Sequence, residues 1–261
     1  MKVHFHVNAE KPEAAAHKGA LVAAAARLGL AEAAEGRAAD VVIALGGDGT
    51  LLRAVHAHPG VPILGFKLGG LGYLSSVGER DFGAALAALA AGRYRVSERR
   101  LLQVAGHAAL NDVVLTREMS GHSARLDLEA DGKLVTRYMA DGLIFATPTG
   151  STAYSLAAGG PVLMPDSRSF VVTPLNPHAL GVRPLVVSDD VAFTVTVRPR
   201  TAGNALRVGV YADGENVGAL GAGDCVTVSK SAASARLVEL EGYDPYDVLA
   251  RKLGWSGSNV S

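Results

Sequence analysis

The chain has 261 residues, 49% hydrophobic and 19% charged, and its 25 Lys plus Arg balance 25 Asp plus Glu at a formal net charge of zero. This composition excludes an intrinsically disordered chain, offers no basic footprint for nucleic acid, and gives enough length for one large domain or two modest ones. The one cysteine, Cys225, excludes an internal disulfide or a Cys-based metal site.

Met1–Val7 alternates as a strand does, so no signal peptide is expected there. Pro12 through Leu28 reads as an alanine-rich helix with proline in its first turn. Val41–Leu45 is continuously apolar, as a parallel strand buried on both faces is. Thr50–His58 reads as a helix stopped by Pro59-Gly60, Val61–Phe66 as a third strand and Asp81–Ala91 as a further helix. Strand–helix alternation of this kind predicts a Rossmann-like α/β domain with a parallel sheet over residues 1–97. From about 98 to 235 the pattern is β-rich. Arg125–Glu129 alternates, Asp131-Gly132 signals a hairpin turn before Leu134–Met139, and Phe193–Val197, Leu206–Tyr211 and Val226–Val228 follow suit. A sandwich-like second domain is expected. Residues 236–261 form a C-terminal segment expected to return to the first domain, with a helix at Pro245–Leu253 and a mobile tail from Gly254.

Smaller features have plain readings. Cys225, within Gly-Asp-Cys-Val-Thr-Val, reads as a small buried hydrophobe, and a cytoplasmic location fits. Arg99-Arg100 and Arg198-Pro199-Arg200 read as solvated strand ends. The uncharged stretch 142–165 holds too many Pro and Gly residues for a membrane span. His4 and His6 share one strand face, but without a neighbouring Cys or acid cluster they make no metal site by sequence.

Chemistry concentrates in three stretches. Gly46-Gly47-Asp48-Gly49-Thr50 follows a buried strand and opens a helix, the setting in which glycines admit a ligand and free N–H groups receive a phosphate. It is neither a Walker loop nor the dinucleotide fingerprint. A carboxylate there either caps the helix or does chemistry, binds a metal or accepts a hydroxyl proton. Leu110–Leu115 places the pair Asn111-Asp112 at the start of a strand. In residues 141–161, DGLIFATPTGSTAYSLAAGGP, an apolar strand runs into Thr147-Pro148-Thr149-Gly150-Ser151-Thr152-Ala153-Tyr154-Ser155. Small hydroxyl residues at such a junction suit ribose or phosphate, and Tyr154 suits stacking on a base.

These stretches, with Leu71-Gly72-Tyr73-Leu74, Pro177-His178 and Arg183-Pro184-Leu185, closely resemble the NAD kinase family in order and over most of the chain. The resemblance implies an ATP- or polyphosphate-dependent, Mg²⁺-requiring enzyme that phosphorylates the adenosine-ribose 2′-hydroxyl of NAD to make NADP. It further implies a homodimer or homotetramer whose partners are NAD and ATP, with no membrane or nucleic acid. It assigns the proton acceptor to Asp48 and the phosphate loop to Gly46, Gly47, Gly49 and Thr50. Substrate contacts fall on Gly49, Asn111, Asp112, His122, Asp141, Thr149, Ser151, Thr152, Ala153, Tyr154, Ser155, Asp213 and Glu215; a surface histidine explains His122 equally well, and an Asp-Gly turn explains Asp213 nearly as well. Departures are Lys67 where the family usually has Asn, Tyr73 where it has Phe, Asp112 where many members have Glu, and Ala157 where many have Ser. A lipid or sphingoid kinase shares the loop but does not need the 141–161 run; a non-catalytic NAD(P) sensor would keep the pocket without turnover.

Overall fold

The structure, a computed structural model, describes every residue except 9–11, 69–71, 75–76, 119–122, 200–206 and 256–261. It forms two compact units, one built of residues 1–99 with 235–261 and the other of 100–234.

In the first unit, β1 (Lys2–Val7), α1 (Pro12–Arg27), β2 (Ala31–Glu32), β3 (Val41–Gly46), α2 (Asp48–Ala57), β4 (Ile63–Lys67), β5 (Val77–Gly78) and α3 (Phe82–Ala90) follow one another. The strands lie in the order β2-β1-β3-β4, all parallel, and β5 runs parallel to the end of β4. All six positions of β3 are buried, which accounts for its unbroken apolar run. Phe5, Ile43, Leu45 and Phe66 pack with Leu21 of α1 and with Phe82, Leu86 and Leu89 of α3. The Phe66 and Phe82 rings stack with centroids 4.5 Å apart. β4 starts at Ile63 and not at Val61, because Pro62 has no N–H to give to a ladder.

The chain passes from one unit to the other inside β6 (Tyr94–Val104) and returns inside β17 (Cys225–Leu240). Between them run β7 (His107–Ala109), β8 (Asp112–Arg117), β9 (Ala124–Ala130), β10 (Lys133–Ala140), β11 (Gly142–Ala146), α4 (Tyr154–Ala157), β12 (Ser169–Leu175), β13 (Leu185–Ser188), β14 (Phe193–Val197), β15 (Val208–Ala212) and β16 (Glu215–Leu220). The second unit sets a six-stranded antiparallel sheet, β13-β12-β11-β8-β15-β16, against the antiparallel run β10-β9-β14 continued by the start of β17. One core joins the two, with Leu126 and Leu128, Phe193 and Val195 from one side, and Val113, Leu115, Phe145 and Phe170 from the other. The Phe145 and Phe193 centroids are 5.3 Å apart. The Asp131-Gly132 hairpin forms with φ of 48° and 75°, the positive values a type I′ turn needs. After β17, α5 (Pro245–Leu253) belongs to the first unit, opened by Asp244, whose carboxylate accepts the Tyr246 N–H.

Three local expectations are corrected. Cys225 is exposed: strand alternation turns Val226 and Val228 toward the core and Cys225 and Thr227 outward. Arg99 is only 4% exposed and pairs with Glu239, and Arg100 pairs with Asp189, so neither is a solvated strand end. Arg198 pairs with Asp127 at 2.9 Å, while Arg200, like Leu206, lies outside the described residues. No helix among the described residues is long and apolar enough to cross a membrane.

Candidate active site

In the first unit the Gly46–Thr50 loop sits at the carboxyl end of β3, where open α/β sheets receive ligands. The helix that follows begins at Asp48, two residues before the position expected from sequence. Its N-cap is Gly47, which has no side chain to offer, so Asp48 is not a cap. The Asp48 carboxylate instead accepts the backbone N–H of Tyr73 at 2.9 Å through Oδ2. Gly72 makes this approach possible, since a Cβ there would stand 2.1 Å from Asp48 Oδ1. Gly47 and Asp48 are half-buried, Gly49 is exposed and Thr50 is buried. Burial, and then the Asp48 charge, raise the Tyr73 phenol above its ordinary range.

Two lysines border this loop. Lys67 ends β4 directly opposite Gly46. Lys252, in the last turn of α5, places Nζ 5.5 Å from the Tyr73 ring centroid. Burial and the Lys67 charge hold the Lys252 ammonium below its usual range, while the Asp48 charge opposes them. Sequence reasoning missed Lys252. Nothing local marks it, since a basic residue in a last helical turn is ordinary.

In the second unit, Asn111 and Asp112 lead into β8 and the 147–155 run leaves β11. The two meet through backbone. The Thr147 N–H donates to Asn111 O at 2.9 Å and the Thr147 hydroxyl donates to Leu110 O at 2.6 Å. Gly150 is needed there because a Cβ would lie 1.9 Å from Asn111 O. Asp213 completes the arrangement as acceptor. Its Oδ2 takes the Leu110 N–H at 2.7 Å, and its Oδ1 takes those of Asn111 and Asp112 at 2.7 and 3.1 Å. Asp112 is buried beside it, and desolvation, then the Asp213 charge, push its carboxyl up to about 7.

The hydroxyl run divides by burial. Ser151 is fully buried, donating to Pro148 O at 2.7 Å and accepting the Leu163 N–H at 2.9 Å. Ser155 is fully buried too, and shares a hydrogen bond with Thr173 at 2.8 Å. Thr149 is buried, Thr152 and Ala153 are half-buried, and Tyr154 is 49% exposed at the start of α4. Asp141 stands at the head of β11, paired with Arg117 at 2.6 Å and accepting from Asn176 at 3.0 Å. Those two hydrogen bonds, Arg117's first, hold its carboxyl below the usual range. Glu215 is exposed at the start of β16, and His122 lies outside the described residues. The sequence did not point to Arg117 or Asn176, whose link to Asp141 exists only once β8, β11 and β12 are paired.

Comparison with known proteins agrees with this architecture. Residues 4–94 match the ATP-NAD kinase N-terminal domain and residues 110–240 the ATP-NAD kinase C-terminal domain. The NAD kinase of Symbiobacterium thermophilum is 44% identical over 247 residues, covering 88% of this chain and 86% of that protein. That of Heliobacterium modesticaldum is 38% identical over 228 residues, covering 83% and 79%. Among solved structures, an Archaeoglobus fulgidus NAD kinase in complex with ATP superposes with a TM-score of 0.82 at 25% identity, covering 98% of this chain and all of that one. Yeast NADH kinase complexed with NADH shares the fold at a TM-score of 0.85 and 24% identity, covering 99% and 88%. Two domain matches in chain order and relatives aligned over most of both lengths establish that the chain belongs to the NAD kinase family.

Proposed function

We propose that this chain transfers a phosphoryl group from ATP or polyphosphate to the adenosine-ribose 2′-hydroxyl of NAD, making NADP, with Asp48 as the proton acceptor. The observation that carries the reading is the geometry of Asp48. Its carboxylate stands at a strand-to-helix junction among glycines, one oxygen fixed by the Tyr73 N–H. A carboxylate in that position repels phosphate unless the reaction uses it. The ATP bound by the archaeal relative supports ATP as donor.

Phosphoryl transfer is mostly positioning and charge stabilisation. A ribose hydroxyl is a weak nucleophile, so Asp48 orients it and takes its proton late, a role an ordinary carboxylate can fill. The loop of Gly46, Gly47, Gly49 and Thr50 leaves backbone N–H groups at the α2 start for phosphate. Asn111, Asp112, Thr149, Thr152, Ala153, Tyr154 and Asp141 hold NAD. Ser151, Ser155 and Asp213 shape the turns that present them, which matches their internal hydrogen bonds. Glu215 and His122 complete the substrate contacts in this reading. Among the described residues no three His, Cys, Asp or Glu side chains form a metal-binding group. A Mg²⁺ carried on donor phosphates and water needs only one or two carboxylates, and Asp48 is the loop's own. When bound, Mg²⁺ neutralises phosphate charge. The active protein is proposed to be a homodimer or homotetramer.

The test is NADP formation from NAD, Mg²⁺ and either ATP or polyphosphate. Asp48→Asn is expected to lower turnover by about 10²–10⁴-fold while NAD affinity stays near that of the parent. Full activity in the variant would end the proton-acceptor assignment. NAD binding without turnover on either donor in the parent would favour a sensor.

A further inference from the structure

Lys67 and Lys252 form an unusual pair. One leaves β4 opposite Gly46, the other comes from α5 at the far end of the chain, and both reach the surroundings of Asp48 and Tyr73. The lysine ion pairs among the described residues are those of Lys18 with Glu32 and of Lys230 with Asp189 and Asp190. Among the described residues no ion pair of Lys67 or Lys252 is found beside these. Two ammonium groups near one another repel, so the arrangement costs free energy until an anion joins them. The single charge of Asp48 leaves an excess of one positive charge. A phosphoanhydride chain carries several negative charges, and lysine binds phosphate as a compact point charge.

We propose that Lys67 and Lys252 together seat the phosphoanhydride chain of the phosphoryl donor beside Asp48, and that Lys67, standing where the resembled family usually has Asn, sets this chain's donor preference. The inference rests on the reading of the chain as a donor-to-NAD phosphotransferase. It names a specificity role for the substitution at 67 and a functional role for α5. The more highly charged donor gains most from the extra cation, so Lys67 favours polyphosphate relative to ATP.

The experiment measures KM for ATP, for polyphosphate and for NAD in the parent, Lys67→Asn, Lys67→Arg and Lys252→Met. In parallel, inorganic tripolyphosphate is titrated calorimetrically into each protein without NAD. Each neutral variant is expected to raise donor KM and tripolyphosphate Kd about tenfold, the size of one charge-assisted contact, with NAD KM unchanged within about twofold. The Lys67→Asn rise is expected to be larger for polyphosphate than for ATP, and Lys67→Arg to restore donor binding. Both side chains are only half-buried, so the variants are expected to fold. Donor KM and tripolyphosphate Kd within about twofold of the parent in both neutral variants would overturn the seat. So would an equal rise in donor and NAD KM, which marks general damage to the loop. A parent that makes no NADP, yet binds tripolyphosphate through both lysines, would overturn the reaction and leave the seat standing.

Discussion

Asp112 is a carboxyl group whose ordinary pKa is 3.8, raised to about 7 by burial and by Asp213. Between those values the folded chain keeps a proton that the unfolded chain has released. The group's contribution to stability is therefore fully present at the acid end and is lost as pH rises through about 7. Asp112→Asn removes that dependence. The stability of the variant relative to the parent is expected to rise by on the order of 2 kcal/mol between pH 5 and pH 8. Urea unfolding at the two pH values measures it, and parallel curves would show that Asp112 is already ionised at pH 5. At this scale sequence reading singles out Asp48 and the Asn111-Asp112 pair as candidates, because unusual residue types stand together in the chain. It named Tyr73 and Asp213 but not the contacts they make. Tyr73, which fixes Asp48, and Asp213, which fastens residues 110–112, are brought in by folding, and no local pattern encodes their contacts.

Among elements, β3 and β4 of the first unit were legible because burial on both faces writes continuous apolar runs, and the hairpin at Asp131-Gly132 because only certain residues tolerate positive φ, whereas the two-residue strands β2 and β5 are too short to write a pattern. Element ends were less legible, as α2 shows: Gly47 took the cap and Asp48 joined the helix. The pairing of β1 with the far end of α2 was not visible either. His6 Nδ1 lies 3.2 Å from His58 Nε2, and the His4 ring meets the His58 ring edge-on at 5.3 Å. Burial first, then the charge of His58, His4 and Arg53, lowers the His6 imidazole; burial, His4 and Arg37 lower that of His58. Groups held below their unfolded value stabilise the fold above about pH 6.5, and that stability is lost as pH falls through the folded value. Between pH 7.5 and pH 5.5 the Tm of the parent is therefore expected to fall relative to that of His58→Gln, both chains sharing the opposite contribution of Asp112. An unchanged slope in thermal melts would locate the acid sensitivity elsewhere.

On the scale of the whole molecule, composition and periodicity conveyed an α/β part followed by a β-rich part, which the structure and the family comparisons show. The polar fastenings were hidden. Glu239, near the end of β17, accepts from Arg99 at 2.5 Å and from Arg95 at 2.7 Å, all within the first unit. Arg99 reads as surface material until the returning strand supplies a buried acid. Glu239→Ala leaves Arg99 buried without its partner and is expected to cost about 3 kcal/mol in urea unfolding. Arg99→Met combined with Glu239→Leu is expected to recover much of that loss, because the uncompensated charge is gone. A cost under about 0.5 kcal/mol for Glu239→Ala would show that the pair is effectively solvated.

The first unit is discontinuous: residues 1–99 need the stretch from 235 onward, where Leu237 pairs with Ile63 and α5 carries Lys252. Protein synthesis delivers these parts in a fixed order. The Gly-Gly-Asp-Gly loop emerges from the ribosome early, yet the strand beside β4 and the lysine beside Tyr73 arrive only after all of the β-rich unit has been made. Segments ordinarily fold as they emerge. Here the middle of the chain can close before the unit that precedes it, and a nascent chain halted before residue 235 carries every residue of the loop without the means to complete its surroundings.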